Sequence, residues 1–532
     1  MSKRDRTLVA AVLLGVAGLF VVMSNQRFYF LQGSAASDIL LSRALASGQG
    51  FREVLRIGSP PCTVRPPGFT SLLAVLNLLF GENLFLYKLI NNLFGAAAFL
   101  FGVLLLRKRT RSPAVPLMIA AFSMTLPFWI GIARHLYSGI IFTALVMSSL
   151  WVFEREHERG FTSVLSLIGF SVLASAALLT RSIGVTLPAA AVLSVFLHRR
   201  LPIKNRLYLA AAVLLITGLF FGAWTVRNYK VQGAKDEPYL SKLLVGEPLG
   251  STYWLAEDQG IPLMPEPKKL TPARFAKRIT DNGRYYLFHT AGFLVPALER
   301  LPAGVRAALS GSWFVLVMGG LGFMIVRQKR ISEIYAALTL LVALAWPFPH
   351  PRFFAPALPV LLLAMTGSIT WLSGKAAGHA GFAPVRGKAR LAGIVAAALF
   401  ILVNLGSDAT LVKKRFKKPE YQLTRPGMTM VADRPYSYAS LLVLDRLRKN
   451  APPDARVMFH SVYPCALVTE RVCAPVPMAD PERLMRWVRE NGIDYIIMDS
   501  EKGAFGASYF SYRYLWPAVQ RYEGQTLELL KS

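Results

Sequence analysis

A short polar stretch near the start of this 532-residue chain has the residue types that group transfer requires. Asp38 is a carboxylate that could take a proton from a hydroxyl or amine, or position an acceptor or a metal ion. Arg65 opens a rigid Arg-Pro-Pro-Gly turn, and its planar guanidinium suits bidentate binding of phosphate. Asp38 also fits the N-cap of a helix over residues 39–46, so capping and catalysis are both open. Glu53 and Glu82 are weaker candidates for the acid.

Further cations stand at the ends of apolar runs, where they could hold an anionic group at a membrane surface. They are Arg134 with His135, Arg181, Arg227, and Arg352 with His350. The alternative for each is a side chain that merely extends from hydrocarbon to the interface. Arg181 is the most informative, because it separates two apolar runs with almost no loop. A charge so close to hydrocarbon is expensive unless it is paired or functional.

The composition indicates a polytopic membrane protein. Hydrophobic residues make up 54% of the chain, and the mean hydropathy is +0.41. The net charge of +30 comes from short basic clusters between apolar runs, as topology rules predict. We therefore expect membrane lipids, and no nucleic acid, among its partners. The three cysteines show no metal-binding spacing.

Charge also predicts the topology. The basic N-terminus is expected in the cytoplasm, before an uncleaved first span over residues 7–23, which leaves an outer loop over 25–83. The apolar run at 69–80 is too short for a hydrocarbon core of about 30 Å, so it is predicted to be interfacial or re-entrant. The run at 84–106 spans, which returns the basic cluster at 107–111 to the cytoplasm.

The remaining apolar runs complete a membrane domain over residues 1–409 with about eleven spans. They lie near 114–132, 140–153, 161–180, 184–198, 207–224, 309–326, 332–348, 353–373 and 391–406. This arrangement keeps every dense basic linker in the cytoplasm and leaves a long outer loop over 225–308.

Residues 410–532 contain no run of span length and are predicted to form a soluble extracytoplasmic α/β domain. Helices are expected over Tyr438–Lys449 and from the Asp480 cap to Glu490, and strands over Arg456–Val462 and Ile493–Met498. Cys465 and Cys473 lie in this region. They form either a disulfide, which that compartment permits, or two free small residues, and Cys62 is left over.

Several segments resemble, in order, the motifs of the GT-C glycosyltransferases, which include protein O-mannosyltransferases and lipid A aminoarabinose transferases. The segments are Ser42–Phe51, similar to A-R-x-L-A-x-G-x-G-F; Arg65–Phe69, similar to R/Y-P-P-G-Y/F; Leu178–Gly184, similar to L-T-R-P-x-G; Trp224–Tyr229 with Gly233, similar to W-x-x-R-N-Y…G; and His350–Pro356, similar to R-Y-x-x-P. The resemblance covers most of the membrane part. It implies a GT-C-like, polytopic α-helical fold.

The resemblance also implies a function. It is that of a hexosyl- or pentosyltransferase that moves a sugar, with inversion, from a polyprenyl-phosphate donor to lipid A, another envelope glycan or a protein. Asp38 would be catalytic, and the donor phosphate or substrate would be bound by Arg65, Arg134, His135, Arg181, Arg227, Asn228, His350 and Arg352. A divalent cation often assists in the family, so a metal is a further expectation whose ligands stay unassigned. The implied location is the bacterial inner membrane, with the C-terminal domain in the periplasm.

Two positions depart from the family pattern. The position of the usual catalytic Asp is occupied by Ser34, and Asp38 stands one helical turn later, about 6 Å along a helix axis. An acid of the second outer loop would correspond to Ser138 or Gly139. A catalytically silent protein that binds a lipid-linked sugar is therefore an alternative. A transporter is a weaker one, because the charges collect at one rim and no repeat is visible.

Overall fold

The structure is a computed structural model. It describes residues 14–15, 18, 29–30, 33–63, 65–110, 114–124, 126, 129, 132–133, 135–198, 201–232, 270–294, 298, 301–346, 349, 351–379, 422–425, 428–431, 435–459, 461–477, 479–498 and 515–522. The α-helices in these ranges are α1 (Gly33–Ala46), α2 (Pro67–Phe80), α3 (Leu84–Arg107), α4 (Ala114–Met124), α5 (Ser138–Arg159), α6 (Val164–Thr180), α7 (Thr186–Leu197), α8 (Ile203–Gln232), α9 (Pro272–Leu294), α10 (Ala303–Gln328), α11 (Ile331–Ala345), α12 (Leu358–His379), α13 (Pro435–Asn450), α14 (Val462–Thr469), α15 (Pro481–Glu490) and α16 (Trp516–Tyr522). The strands are β1 (Tyr29–Phe30), β2 (Gln422–Arg425), β3 (Met428–Val431), β4 (Arg456–Met458), β5 (Val472–Ala474) and β6 (Tyr495–Ile496).

The chain divides into two compact units. The first, here called the helical unit, comprises Met1–Gln26, Lys88–Arg227 and Ala276–Phe416. The second, the mixed unit, comprises Arg27–Tyr87, Asn228–Phe275 and Lys417–Ser532. The mixed unit thus groups most of the predicted first outer loop with the C-terminal region. The predicted boundary between residues 409 and 410 lies outside the described residues and stays a prediction.

Long apolar helices indicate that this is a membrane protein. Among the described residues, α3, α5, α8 and α10 are each long and apolar enough to cross a bilayer. Shorter apolar helices coincide with the predicted spans near 161–180, 184–198, 332–348 and 353–373, and α2 coincides with the predicted interfacial run. The predicted spans over 7–23 and 391–406 fall mostly or wholly outside the described residues, so the count of about eleven stays a prediction.

Helix α5 is the most buried of the four long apolar helices among the described residues. In its apolar window 67% of the residues are buried, against 17% in α8, so α8 leaves an apolar face for lipid. The Phe153 ring of α5 meets that of Phe170 of α6 at 4.9 Å between centroids. Helices α10 and α12 approach closely at Gly320, where a Cβ would overlap the carbonyl oxygen of Ala364.

A buried ion cluster joins the segment after α3 to α5 and α11, at the predicted cytoplasmic ends of these three helices. Arg109 binds the carboxylates of Glu154 and Glu333, and Ser332 donates a hydrogen bond to Glu154. Burial would lower the pKa of Arg109, but the two carboxylates outweigh it and the pKa is raised. Removal of one partner would leave an uncompensated buried charge, so we assign this cluster a structural role.

The mixed unit combines two small sheets with helices. In the first sheet, β1 pairs parallel with β3, and β2 pairs antiparallel with β3. In the second, the parallel order is β5-β4-β6. A core formed by α15, α16 and the second sheet consists of Met458, Val476, Leu484, Met485, Val488, Leu515, Ala518 and Val519.

The structure tests several local predictions for the C-terminal region. The helix predicted over Tyr438–Lys449 is α13, and Asp480 caps α15 by accepting a hydrogen bond from the Arg483 amide at 3.0 Å. The strand predicted over Arg456–Val462 is wrong beyond Met458. Val462 instead begins α14, a helix buried along its whole length, where an apolar run cannot be told from a strand by pattern. The predicted outer loop over 225–308 contains the helix α9.

Candidate active site

Asp38 lies inside a helix rather than at its start. Helix α1 begins at Gly33, so the prediction that Asp38 caps a helix over 39–46 is wrong. The small residues Ala35 and Ala36 favour helix and are fully buried, which extends the helix past the expected start. Asp38 is only 8% exposed, and its carboxylate contacts side chains of residues 65–70.

Arg65 and Thr70 hold this carboxylate. Nη1 of Arg65 lies 3.5 Å from Oδ1 of Asp38, and the same nitrogen donates to the carbonyl oxygen of Ser34 at 3.3 Å. The Thr70 hydroxyl donates to Oδ1 of Asp38 at 3.3 Å. Positions 34 and 38 thus share a helix face, as predicted, and meet one guanidinium.

The Arg-Pro-Pro-Gly turn explains why Arg65 stands there. Pro66 is extended, with φ −62° and ψ 141°, and it precedes the first residue of α2. Pro67 is that first residue, and proline is suited to it, since its φ is preset and it lacks the amide that a helix start leaves without an intrahelical partner. The turn therefore fixes Arg65 immediately before α2, which carries Thr70 one turn further on.

Residues from distant parts of the chain also lie near Arg65. The Tyr463 ring centroid lies 5.5 Å from Cζ of Arg65, and the Tyr463 hydroxyl donates to Oε1 of Glu53 at 2.9 Å. Glu53 is also paired with Arg56, and both are buried. The Asn228 amide donates to the carbonyl oxygen of Thr63 at 3.2 Å.

Another ion pair fixes the end of α1. Arg43, in its last turn, binds Glu82, which follows α2. Burial would lower the pKa of Arg43, but the Glu82 carboxylate outweighs that effect and the pKa is raised. Glu82 is thus a partner of Arg43, and its weaker candidacy as the acid stays a prediction.

In the helical unit, two predicted arginines meet at a single cavity. Arg181, Arg352 and Tyr137 line it. Cζ of Arg181 lies 5.2 Å and that of Arg352 5.7 Å from the Tyr137 ring centroid. Arg352 also donates a hydrogen bond to the Tyr137 hydroxyl. The rest of the wall is mainly apolar, with Trp129, Ile132, Phe142, Ile183, Phe353, Ala355 and Pro356.

Local sequence explains how Arg181 reaches this cavity. It is the single extended residue between α6 and a 3₁₀ turn, with φ −149° and ψ 131°. Gly184 permits the sharp return, because a Cβ there would lie 2.7 Å from the backbone of Leu178. Two guanidinium groups beside apolar side chains have the chemistry that attracts an anionic group next to hydrocarbon.

The other predicted residues are distributed as follows. Arg227 stacks on Trp224, with Cζ 4.9 Å from the ring centroid, and His135 is half-buried just before α5. Arg134 and His350 lie outside the described residues, so their predicted roles stay predictions. Sequence reasoning missed Thr70, Tyr137 and Tyr463. Tyr137 follows the Arg134-His135 pair closely, which was its one available signal.

The expected divalent cation can be tested against the donors present. Mg²⁺ requires near-octahedral oxygen ligands, but the partners of Asp38 include the cationic Arg65. Gly139 supplies no carboxylate where the family pattern has an acid. Within the described ranges, no group of three or more His, Cys, Asp or Glu side chains could hold a metal ion. These residues do not fit a divalent-cation site.

Comparisons with solved structures identify similar folds. ArnT from Cupriavidus metallidurans, bound to undecaprenyl phosphate, aligns with a TM-score of 0.54 and 13% identity over 93% of this chain and 90% of that chain. The archaeal oligosaccharyltransferase AglB from Archaeoglobus fulgidus, with an inhibitory peptide and a dolichol-phosphate, aligns with a TM-score of 0.54 and 12% identity over 91% and 69%. Both are members of the GT-C superfamily. No family model and no curated protein matches the sequence.

Proposed function

We propose that this chain, which has the GT-C fold, is a glycosyltransferase that takes a sugar from a polyprenyl-phosphate donor. The observation that carries the proposal is the Asp38 carboxylate held by Arg65 and Thr70 on a helix outside the long apolar segments. Its acceptor would be lipid A, another envelope glycan or a protein. The sugar would be a hexose or a pentose.

Asp38 acts as the base in this reaction. The acceptor hydroxyl or amine forms a bond to the anomeric carbon while the bond from that carbon to the phosphate oxygen breaks, which inverts the configuration. The acceptor proton passes to Asp38, and polyprenyl phosphate leaves with the bonding electrons. General-base catalysis of this kind contributes roughly 10²- to 10⁴-fold. Arg65 stabilises the ionised carboxylate and orients it.

Arg181 and Arg352 bind the donor phosphate. Phosphate is a good leaving group once its charge is neutralised, and fixed guanidinium groups in an apolar cavity neutralise it without reorganisation. Tyr137 keeps the two arginines in place by contacting both. Arg227 and Asn228 remain proposed substrate contacts. No step is assigned to a divalent cation, because the described donors do not fit one.

The proposed location is the inner membrane of a bacterium, with the C-terminal region over 410–532 on the periplasmic side. The Cys465–Cys473 disulfide, with a Cα–Cα distance of 6.3 Å, supports this, since disulfides persist in oxidising compartments. Nucleotide-activated sugars do not reach that side of the membrane. A lipid-linked donor is the chemistry that fits.

Binding of a lipid-linked sugar without turnover is the second candidate. It is favoured by Ser34, which stands where the family has its acid, while its carbonyl oxygen receives Arg65. The two candidates differ in one product. The transferase releases polyprenyl phosphate, whereas the binding protein retains the intact donor.

The test uses the full-length protein in lipid nanodiscs. It is incubated with radiolabelled polyprenyl-phosphate hexoses and pentoses and with an envelope extract that retains lipid A, glycans and proteins as acceptors, and free polyprenyl phosphate is measured by chromatography. We expect one donor class to be consumed with stoichiometric labelling of an acceptor. Saturable donor binding without release in every combination would instead identify the silent protein.

A further inference from the structure

We infer that Tyr463, from the C-terminal region, is a positioning residue that holds Arg65 in register with Asp38. This inference rests on the proposed function for its catalytic consequence. Its structural content stands separately, because the orientation of Arg65 is measurable without turnover.

The geometry gives Arg65 two distinct surfaces. Its Cζ lies over the Tyr463 ring, 5.5 Å from the centroid. Its edge nitrogen Nη1 lies toward Oδ1 of Asp38 and the Ser34 carbonyl oxygen. An aromatic face attracts a guanidinium and fixes its plane. The plane in turn decides which atoms the edge nitrogens can reach.

Tyr463 is itself rigidly held. It is 5% exposed, and its hydroxyl donates to Glu53, a residue 410 positions away in the chain. Two residues further along α14, Cys465 forms the disulfide with Cys473. The amide of Cys473 donates to the carbonyl oxygen of Leu55 at 2.9 Å, beside Glu53. The ring position is thus defined at the hydroxyl and through its own helix.

If Tyr463 had only a structural role, these anchoring contacts would be sufficient. Here the anchored ring also covers a side chain that is itself 27% exposed, long and flexible. Fixing such a side chain removes rotamers that would draw Nη1 away from the carboxylate. The C-terminal region therefore contributes to the orientation of Arg65, and through it to the chemical step.

The experiment compares Tyr463→Phe, which keeps the ring, with Tyr463→Met, which replaces the ring by a long flexible apolar side chain and loses the aromatic face. Tyr522→Met is the matched control, because Tyr522 also contacts an arginine, with Cζ of Arg521 5.8 Å from its ring, elsewhere in the same unit. Full-length variants that are monodisperse by size exclusion are treated with phenylglyoxal. Modification of Arg65 is then followed by peptide mass spectrometry, and donor turnover is measured on the same samples. Tyr463→Leu replaces Tyr463→Met if the latter does not fold.

We expect Tyr463→Met and Tyr463→Phe to differ both in the rate of Arg65 labelling and in kcat. Tyr463→Met should label Arg65 about threefold faster and lower kcat about tenfold with a donor KM changed less than about twofold, because donor binding does not use Arg65 in this scheme. Tyr463→Phe should stay within about twofold of the wild type in both measurements, as should the control. Unchanged Arg65 labelling in Tyr463→Met would overturn the inference. Arg65 labelling could rise in Tyr463→Met and not in Tyr463→Phe while neither the wild type nor any variant turns over donor. In that case the positioning role stands and the proposed transferase function is wrong.

Discussion

A side chain at position 139 would compete with the guanidinium of Arg181 for the same space. A Cβ built on Gly139 lies 3.3 Å from Nη1 of Arg181 and 3.2 Å from the Tyr137 ring. The second outer loop acid of the family pattern corresponds to this region. In this chain the side chains nearest to a Cβ at position 139 are those of Tyr137 and Arg181.

Substitution of Gly139 should therefore affect donor binding more than folding. Gly139→Ala raises helix propensity by up to about 1 kcal/mol, so the protein should be no less stable. Its methyl group displaces Arg181 by a few tenths of an ångström, and Gly139→Asp would pair with Arg181 directly. We expect the Kd for polyprenyl phosphate to rise about threefold in the first and about tenfold or more in the second. Titration in nanodiscs measures this.

Gly169→Ala is the matched control, since nothing lies within 4 Å of a Cβ there. It should bind like the wild type. Equal affinity in Gly139→Asp and Gly169→Ala would show that Arg181 does not contact the phosphate.

Loss of either cavity arginine should weaken donor binding. Charge-assisted hydrogen bonds contribute about 1.5–3 kcal/mol each, so Arg181→Gln and Arg352→Gln should each raise the donor KM roughly 10- to 100-fold. Arg327→Gln is the control, because Arg327 also stacks on an aromatic ring, that of Phe323, with Cζ 5.7 Å from its centroid. A donor KM in Arg352→Gln no higher than in Arg327→Gln would show that Arg352 does not bind the donor phosphate. Steady-state kinetics over a donor series decides this.

Particular residues show which parts of the fold and of the candidate site could be predicted from the sequence. The apolar periods and basic linkers predicted the long helices, and Leu-Leu-Thr-Arg-Ser-Ile-Gly predicted an arginine between two helices, because both signals are local. The start of α1 was misjudged, since Asp is favoured at helix caps, and only its long-range partners Arg65 and Thr70 reveal it as a residue of the helix interior. Tyr463 could not be predicted at all. Its contact with Glu53 joins positions 410 residues apart, and no local pattern encodes such a pair.

Metal removal should leave the activity intact. The residues around Asp38 pair it with a guanidinium, which supplies positive charge without a bound ion. After dialysis against a chelator, donor turnover should remain within about twofold of the untreated protein, because no catalytic step is assigned to a metal. Loss of turnover that Mg²⁺ or Mn²⁺ restores would show that a cation takes part in the reaction and that residues away from Asp38 help to bind it.

The disulfide should stabilise the mixed unit. Cys465 and Cys473 are 8 positions apart, and closing so short a loop contributes about 2–3 kcal/mol. Cys465→Ala combined with Cys473→Ala should lower the thermal midpoint and abolish its sensitivity to reductant. Cys62→Ala, which leaves the bridge in place, should keep that sensitivity. A wild-type midpoint that reductant does not change would contradict this role.

Asp38→Asn tests the central claim most directly. The amide keeps the shape of the side chain and its contact with Thr70, but it cannot accept the acceptor proton. Asp480→Asn is the matched control, since Asp480 caps α15 and asparagine caps a helix equally well. With donor consumption as the measurement, we predict that Asp38→Asn lowers kcat at least about 10²-fold while donor Kd and the thermal midpoint are unchanged. Full turnover in Asp38→Asn, equal to that of Asp480→Asn, would contradict the account.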